Sequence, residues 1–128
     1  MSNTVSPLGR FANSQFASVA DFLARVPADR HGAHLRPMLK LADGSSLSVQ
    51  ASSGHYSCPR SDNERVYEAV EVGFPQNADG TPWSPEALAP YLEPYSKTAD
   101  NAGVFAWVPL EVLEAVCAER GGVAGLVH

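Results

Sequence analysis

The chain has 128 residues, 45% of them apolar, which suits one globular domain with a hydrophobic core. Its 14 acidic and 9 basic residues give a net charge of −5, which argues against direct nucleic-acid binding, because phosphate contacts come mainly from Lys and Arg. Two cysteines make no secreted disulfide framework, and without a membrane-length apolar run or a signal-peptide core the sequence predicts a cytoplasmic protein that contacts no membrane.

The N-terminal segment, residues 1–16, is rich in Ser, Asn and Gly and shows no hydrophobic period. This composition predicts a flexible arm, which Phe11 or Phe16 could anchor to the rest of the protein. Because the remaining chain contains no internal repeat, we expect a single α+β domain over residues 17–128.

Ser18 opens the first predicted helix. Its hydroxyl and the Asp21 carboxylate can satisfy unpaired N–H groups at the helix start, and Pro27 ends the helix because proline cannot continue it. The apolar residues between these signals have the spacing of one buried helix face: Val19, Phe22, Leu23 and Val26.

Strands are predicted in the middle of the chain. Apolar and polar residues alternate within residues 35–50, on both sides of Asp43-Gly44, which is a strong hairpin turn signal. A third strand is predicted from Arg65 to Phe74, ending at Pro75. Glu68 interrupts one of its faces, which is otherwise apolar: Val66, Val70, Val72 and Phe74. The other face carries Tyr67, Ala69 and Glu71.

The second half predicts two further helices and two short strands. Ser84-Pro85-Glu86 is a helix start, Val104 to Val108 is an apolar strand, and Pro109 to Arg120 is a helix with three glutamates on its solvent side: Glu111, Glu114 and Glu119. Val123 to Val127 predicts a last short strand. The order of elements predicts an α+β fold, a mainly antiparallel β-sheet with two or three helices packed on one face.

The loop after the hairpin is the segment richest in chemistry. It places an imidazole, a phenol, a thiol and a guanidinium within six positions: His55, Tyr56, Cys58 and Arg60. Flanking strands would fix both ends of such a loop, which is a common way for a fold to present a site. Tyr67, at the start of the next predicted strand, completes the set of candidate binding residues.

Three interpretations of this loop remain open. Cys58 could be a nucleophile with His55 as its base, or these two residues could bind a metal together with His31 and His34. The third interpretation is a structural or recognition loop. Tyr and Arg are residue types enriched at binding hot spots, although Tyr56 could equally pack on the sheet and Arg60 could pair with a glutamate on the following strand.

Three segments carry a resemblance to a group of small bacteriophage and prophage proteins. They run from Asp43 to Arg60, from Tyr67 to Pro75 and from Trp107 to Val112, within residues 38–122. What the resemblance implies is a setting, a mobile element in a bacterium, where small accessory proteins often counter host defence by blocking a nuclease complex or sequestering a signalling nucleotide.

We therefore expect a non-enzymatic accessory protein, without a cofactor or a metal, that inhibits a host defence protein or complex by direct binding, in the manner of an anti-CRISPR protein. The expected contact residues are His55, Tyr56, Cys58, Arg60 and Tyr67. A small-ligand or nucleotide binder, with Arg60 on phosphate and Tyr56 stacked on a base, is the alternative. An enzyme using Cys58 is the third hypothesis. A homodimer is compatible with each of them.

Overall fold

The computed structural model describes residues 16–27, 35–83, 86–92 and 103–127. In chain order these form helix α1 (Val19–Arg25), strands β1 (Leu39–Leu41), β2 (Ser46–Gln50) and β3 (Ala69–Gln76), a 3₁₀-helix (Glu86–Tyr91), strand β4 (Val104–Pro109), helix α2 (Leu110–Glu119) and strand β5 (Val123–Leu126). Within the described residues the strands form one antiparallel sheet in the order β4-β3-β2-β1-β5. The predicted fold class, α+β with a mainly antiparallel sheet, is confirmed.

The hydrophobic core lies between the helices and one face of this sheet. Apolar strand side chains are fully buried there: Leu39, Leu41, Leu47, Val49, Val70, Val72, Phe105 and Val108. The apolar faces of the two α-helices cover them: Val19, Phe22, Leu23, Leu113, Val116 and Cys117.

Helix α1 begins where the sequence predicts. Ser18 Oγ accepts a hydrogen bond from the Asp21 N–H at 3.1 Å, and the Asp21 carboxylate accepts one from the Ala17 N–H at 3.0 Å, which lowers the pKa of Asp21. Phe16 is buried, with its ring edge-on to Phe22. The last residue of the predicted arm therefore belongs to the core, because its ring finds an apolar partner in α1. Residues 1–15, including Phe11, lie outside the described residues.

Arg36 is a buried cation, with 3% of its surface exposed. Its guanidinium donates hydrogen bonds to the carbonyl oxygens of Leu23 (3.2 Å), Val26 (2.7 Å) and Ala51 (2.6 Å) and lies 5.7 Å from the centre of the Tyr67 ring. Burial lowers the pKa of Arg36 from its ordinary value. Two of the carbonyls belong to the C-terminal end of α1, so this side chain joins that helix end to the end of β2.

Glu114 caps the other end of α1. Its two carboxylate oxygens accept hydrogen bonds from the backbone N–H groups of Val19 (2.8 Å) and Ala20 (3.0 Å). The prediction that Glu114 lies on the solvent side of its helix is therefore wrong for this residue, which is half-buried between α2 and α1. Unpaired N–H groups and the positive end of the helix dipole both attract a carboxylate to this position.

The third strand differs from its prediction at both ends. It starts at Ala69 rather than Arg65, and it continues through the buried Pro75 to Gln76. Val66, predicted to share the apolar face of this strand, precedes the strand and is 71% exposed. Phe74 is 53% exposed with a φ of +50°, because the β2–β3 register shifts beside it and a bulge breaks the alternation of faces.

We predict that Arg36→Ala lowers the free energy of unfolding by about 3 kcal/mol, because three buried carbonyl groups lose their donor. Arg36→Lys should lose most of this free energy as well, since an ammonium group cannot reproduce the planar fork of donors. Urea denaturation followed by circular dichroism measures the effect. Arg65→Ala, at an exposed loop position, is the control and should change stability by less than ~0.5 kcal/mol; an equal loss in both variants would contradict the role of Arg36.

A second prediction concerns the cap on α1. Glu114→Ala should destabilise the protein by about 1–2 kcal/mol, because two helix N–H groups lose a charged acceptor. Glu114→Gln should cost less, since the amide keeps one oxygen acceptor. Glu119→Ala, on the same helix and exposed, is the matched control. Thermal unfolding compares the three variants, and equal melting temperatures for Glu114→Ala and the control would show that the cap contributes nothing.

Candidate functional site

The loop after β2 is ordered by its own hydrogen bonds. Ser52 and Ser57 are both buried, and Ser57 Oγ accepts from the Ser52 N–H at 3.3 Å. Ser52 Oγ accepts from the Gly54 N–H at 3.0 Å and lies 2.6 Å from His55 Nδ1. Asp62 accepts from the Ser53 N–H at 2.9 Å across the loop. Short Ser and Asp side chains thus satisfy the backbone of this turn from within.

The loop is also fastened to the sheet. The Cys58 backbone forms an antiparallel bridge with Ala69, the Tyr56 N–H donates to Glu71 Oε1 at 3.0 Å, and the Tyr56 carbonyl accepts from the Trp107 N–H at 3.2 Å. Residues of β3 and β4 therefore hold the middle of the loop, and not only its ends. These contacts fix the backbone positions from which the side chains of the loop extend.

An exposed aromatic cluster results from this attachment. The Tyr56 and Trp107 rings are 4.8 Å apart between centres, tilted by 35°, and the Arg60 guanidinium lies 5.3 Å from the centre of the Tyr56 ring. Trp107 is 48% exposed, and Cys58 and Arg60 are exposed beside it. We call Tyr56, Cys58, Arg60 and Trp107 the Tyr56–Trp107 face.

The backbone of β4 directs Trp107 outward. Trp107 has a φ of +50°, a conformation rare for bulky residues, and it lies where the β3–β4 register shifts between Val70 and Val72. A bulge of this kind re-aims a side chain that strict alternation would place elsewhere. The sequence predicts Trp107 within an apolar strand and does not predict its outward position, because no turn signal marks this bulge.

A groove runs beside the Tyr56–Trp107 face at the start of α2. It has a volume of about 650 Å³ and is lined by Cys58, Glu68, Ala69, Trp107, Pro109 and Glu111. Its lining is mainly apolar, and two exposed acidic residues, Glu68 and Glu111, belong to that lining. We call this feature the Trp107 groove.

The predicted site residues divide between surface and interior. Tyr56, Cys58 and Arg60 meet around Trp107 as described above. Tyr67 does not join them: it is buried, its hydroxyl donates to the Ser61 carbonyl at 2.7 Å and accepts from the Glu64 N–H at 3.0 Å. The prediction that Tyr67 is a contact residue is therefore wrong, because its ring is packed in the core next to the Arg36 guanidinium.

His55 occupies an intermediate position. It is half-buried, and its Nδ1 is engaged with the hydroxyl of the fully buried Ser52. A base role toward Cys58 would thus fall to Nε2. For the metal hypothesis, His31 and His34 lie outside the described residues. Within the described ranges, no group of three or more His, Cys, Asp or Glu side chains is placed to hold a metal ion.

Comparisons of the chain with protein-family models, with curated proteins and with solved structures gave no match. The resemblance to small phage and prophage proteins thus stays a prediction. In the part of the chain that the structure describes, no helix has the length and apolar character needed to cross a bilayer.

The two cysteines should differ in reactivity. Burial, together with the nearby Glu114, raises the pKa of the Cys117 thiol to about 12, whereas Cys58 is exposed. We predict that iodoacetamide at neutral pH modifies Cys58 in the native protein and spares Cys117 until urea is added, because the thiolate is the reactive form. Mass spectrometry of peptides measures the fraction of each cysteine that carries the adduct. The Cys58→Ser variant is the control, and in its native state it should give no adduct.

The rate at Cys58 also bears on the enzyme hypothesis. A rate above that of free glutathione would indicate an activated thiol and support a nucleophile. Modification of Cys117 as fast as Cys58 in the native protein would contradict the buried position of Cys117.

Proposed function

We propose that the protein acts without catalysis, by binding another protein directly through the Tyr56–Trp107 face, and that its partner is a component of a bacterial defence system. The observation that carries the first part is the exposed Trp107, held outward by a bulge and backed by Tyr56. The second part rests on the resemblance to small phage and prophage proteins and on the chain's acidic balance.

The composition of the face supports protein recognition. Trp, Tyr and Arg are enriched at the few interface positions that contribute most of the binding free energy, and here an exposed Trp, a half-buried Tyr and an exposed Arg form one contiguous cluster. The Tyr56 N–H donates to Glu71 and the Tyr56 carbonyl accepts from the Trp107 N–H, so the Tyr56 backbone is fixed before any partner binds. Such preorganisation lowers the entropy lost on binding.

The nucleotide-binding alternative receives less support from this geometry. Its base platform, the Tyr56 ring, already contacts Trp107, and its phosphate ligand, Arg60, lies over that same ring. Nucleotide binding would require both contacts to rearrange. Thermal unfolding with a panel of nucleotides tests the alternative, since a ligand that binds the folded state raises the melting temperature.

We predict that Trp107→Ala weakens capture of a host partner at least tenfold, because an exposed hot-spot tryptophan typically contributes 2 kcal/mol or more. Phe74→Ala is a matched control, since Phe74 shares the exposure and the φ of +50° of Trp107 but lies outside the face. Tagged protein is used to capture partners from bacterial lysate, and phage plating with and without expression reports inhibition of defence. Equal melting temperatures must first show that both variants fold.

If Trp107→Ala captures the same proteins as the parent chain at the same yield, the Tyr56–Trp107 face is not the contact surface. If phage plating is unchanged by expression of the parent chain, the defence component is not its partner.

A further inference from the structure

We infer that the Trp107 groove receives an arginine side chain of the partner, with its guanidinium on the Trp107 indole and beside the carboxylates of Glu68 and Glu111. This inference rests on the proposed function and names the chemistry of the partner at one point of the contact. The observations that support it are the two carboxylates, the exposed indole and the apolar surface that line the groove.

The groove has the features that an arginine side chain needs. Ala69 and Pro109 provide apolar surface for its three methylene groups. The Trp107 indole offers the ring type that gives the strongest cation–π contact. Glu68 and Glu111 add two negative charges to the lining. Arg60 belongs to the neighbouring face but not to this lining, and its guanidinium is already placed over the Tyr56 ring.

The protein contains the same combination of groups elsewhere, with the arginine supplied by its own chain. The Arg120 guanidinium lies 4.0 Å from the centre of the Trp83 ring and donates a hydrogen bond to Asp43 Oδ2 at 3.2 Å. At the Trp107 groove the indole and the carboxylates are present, but no Lys or Arg of the described residues lies over the indole. A partner can supply that cation.

The positive end of the α2 dipole does not change the preference of the groove for a cation. The groove lies at the N-terminus of α2, where the dipole is equivalent to roughly half a positive charge. The two carboxylates outweigh it several-fold, and Glu111, in the first turn, lies directly at that helix end. Arginine is favoured over lysine because its planar guanidinium can stack on an indole and still donate to carboxylates at its edge.

N-acetyl-arginine amide is the probe for this inference, compared with the citrulline amide, which has nearly the same shape but no charge. The chain has two tryptophans, so an ¹⁵N spectrum of the full chain gives two indole N–H signals, and Trp107→Phe assigns them. We expect a saturable shift of the Trp107 signal with the arginine probe and none with citrulline. The Trp83 signal should stay in place, because Trp83 is buried under Arg120.

The carboxylates are tested by the double variant Glu68→Gln/Glu111→Gln, which should bind the arginine probe about fivefold more weakly, as expected for the loss of two exposed charges. Glu119→Gln, exposed on the same helix, is the control and should bind like the parent chain. High salt should weaken binding to the parent chain as well, because it screens exposed charges. If the double variant does not fold, the salt dependence of arginine binding to the parent chain tests whether exposed carboxylates contribute to the affinity.

Equal shifts with arginine and citrulline would overturn the inference, as would unchanged affinity in the double variant or at high salt. The proposed function is judged separately, by protein capture. If Trp107→Ala loses its captured partner while the double variant keeps it, the inference fails and the proposed function stands. If the arginine probe behaves as expected but Trp107→Ala still captures the same proteins, the proposed function fails.

Discussion

The buried guanidinium of Arg36 is the interaction on which the rest of the structure depends. A cation removed from water is costly unless hydrogen bonds replace its hydration, and three carbonyl oxygens do so here. Two of them end helix α1, and the third, Ala51, directly precedes the loop that forms the candidate site. The Tyr67 ring lies beside the same guanidinium on the returning limb of that loop. One side chain thus fixes the first helix and both limbs of the loop.

The candidate site depends on this arrangement through the sheet. With its two limbs fixed, the loop lies where its backbone can pair with Ala69 and accept from the Trp107 N–H. The bulge in β4 frees that N–H from the ladder and turns the indole outward in the same step. Loop placement and the exposed position of Trp107 are therefore linked, because the same N–H that leaves the ladder holds the loop against β4.

The sequence predicts the parts of this protein that local patterns determine. The Ser18 cap, the Asp43-Gly44 hairpin and the fold class follow from capping chemistry, turn chemistry and alternation. It also points to the loop of Tyr56, Cys58 and Arg60. Alternation cannot predict a bulge, so it places Phe74 and Trp107 in regular strands, whereas the register shifts beside both residues. Contacts between distant segments, such as Glu114 on the α1 N-terminus, leave no local signal at all.

Backbone strain alone does not identify the site, as Phe74 and Trp107 show. Both have a φ of +50° and both are exposed, and each conformation costs about 1–3 kcal/mol. What separates them is their surroundings. Trp107 is backed by Tyr56 and lies in a groove with two carboxylates. The bulge is the means by which a core-directed position becomes a surface one, and the neighbouring side chains decide what that surface can bind.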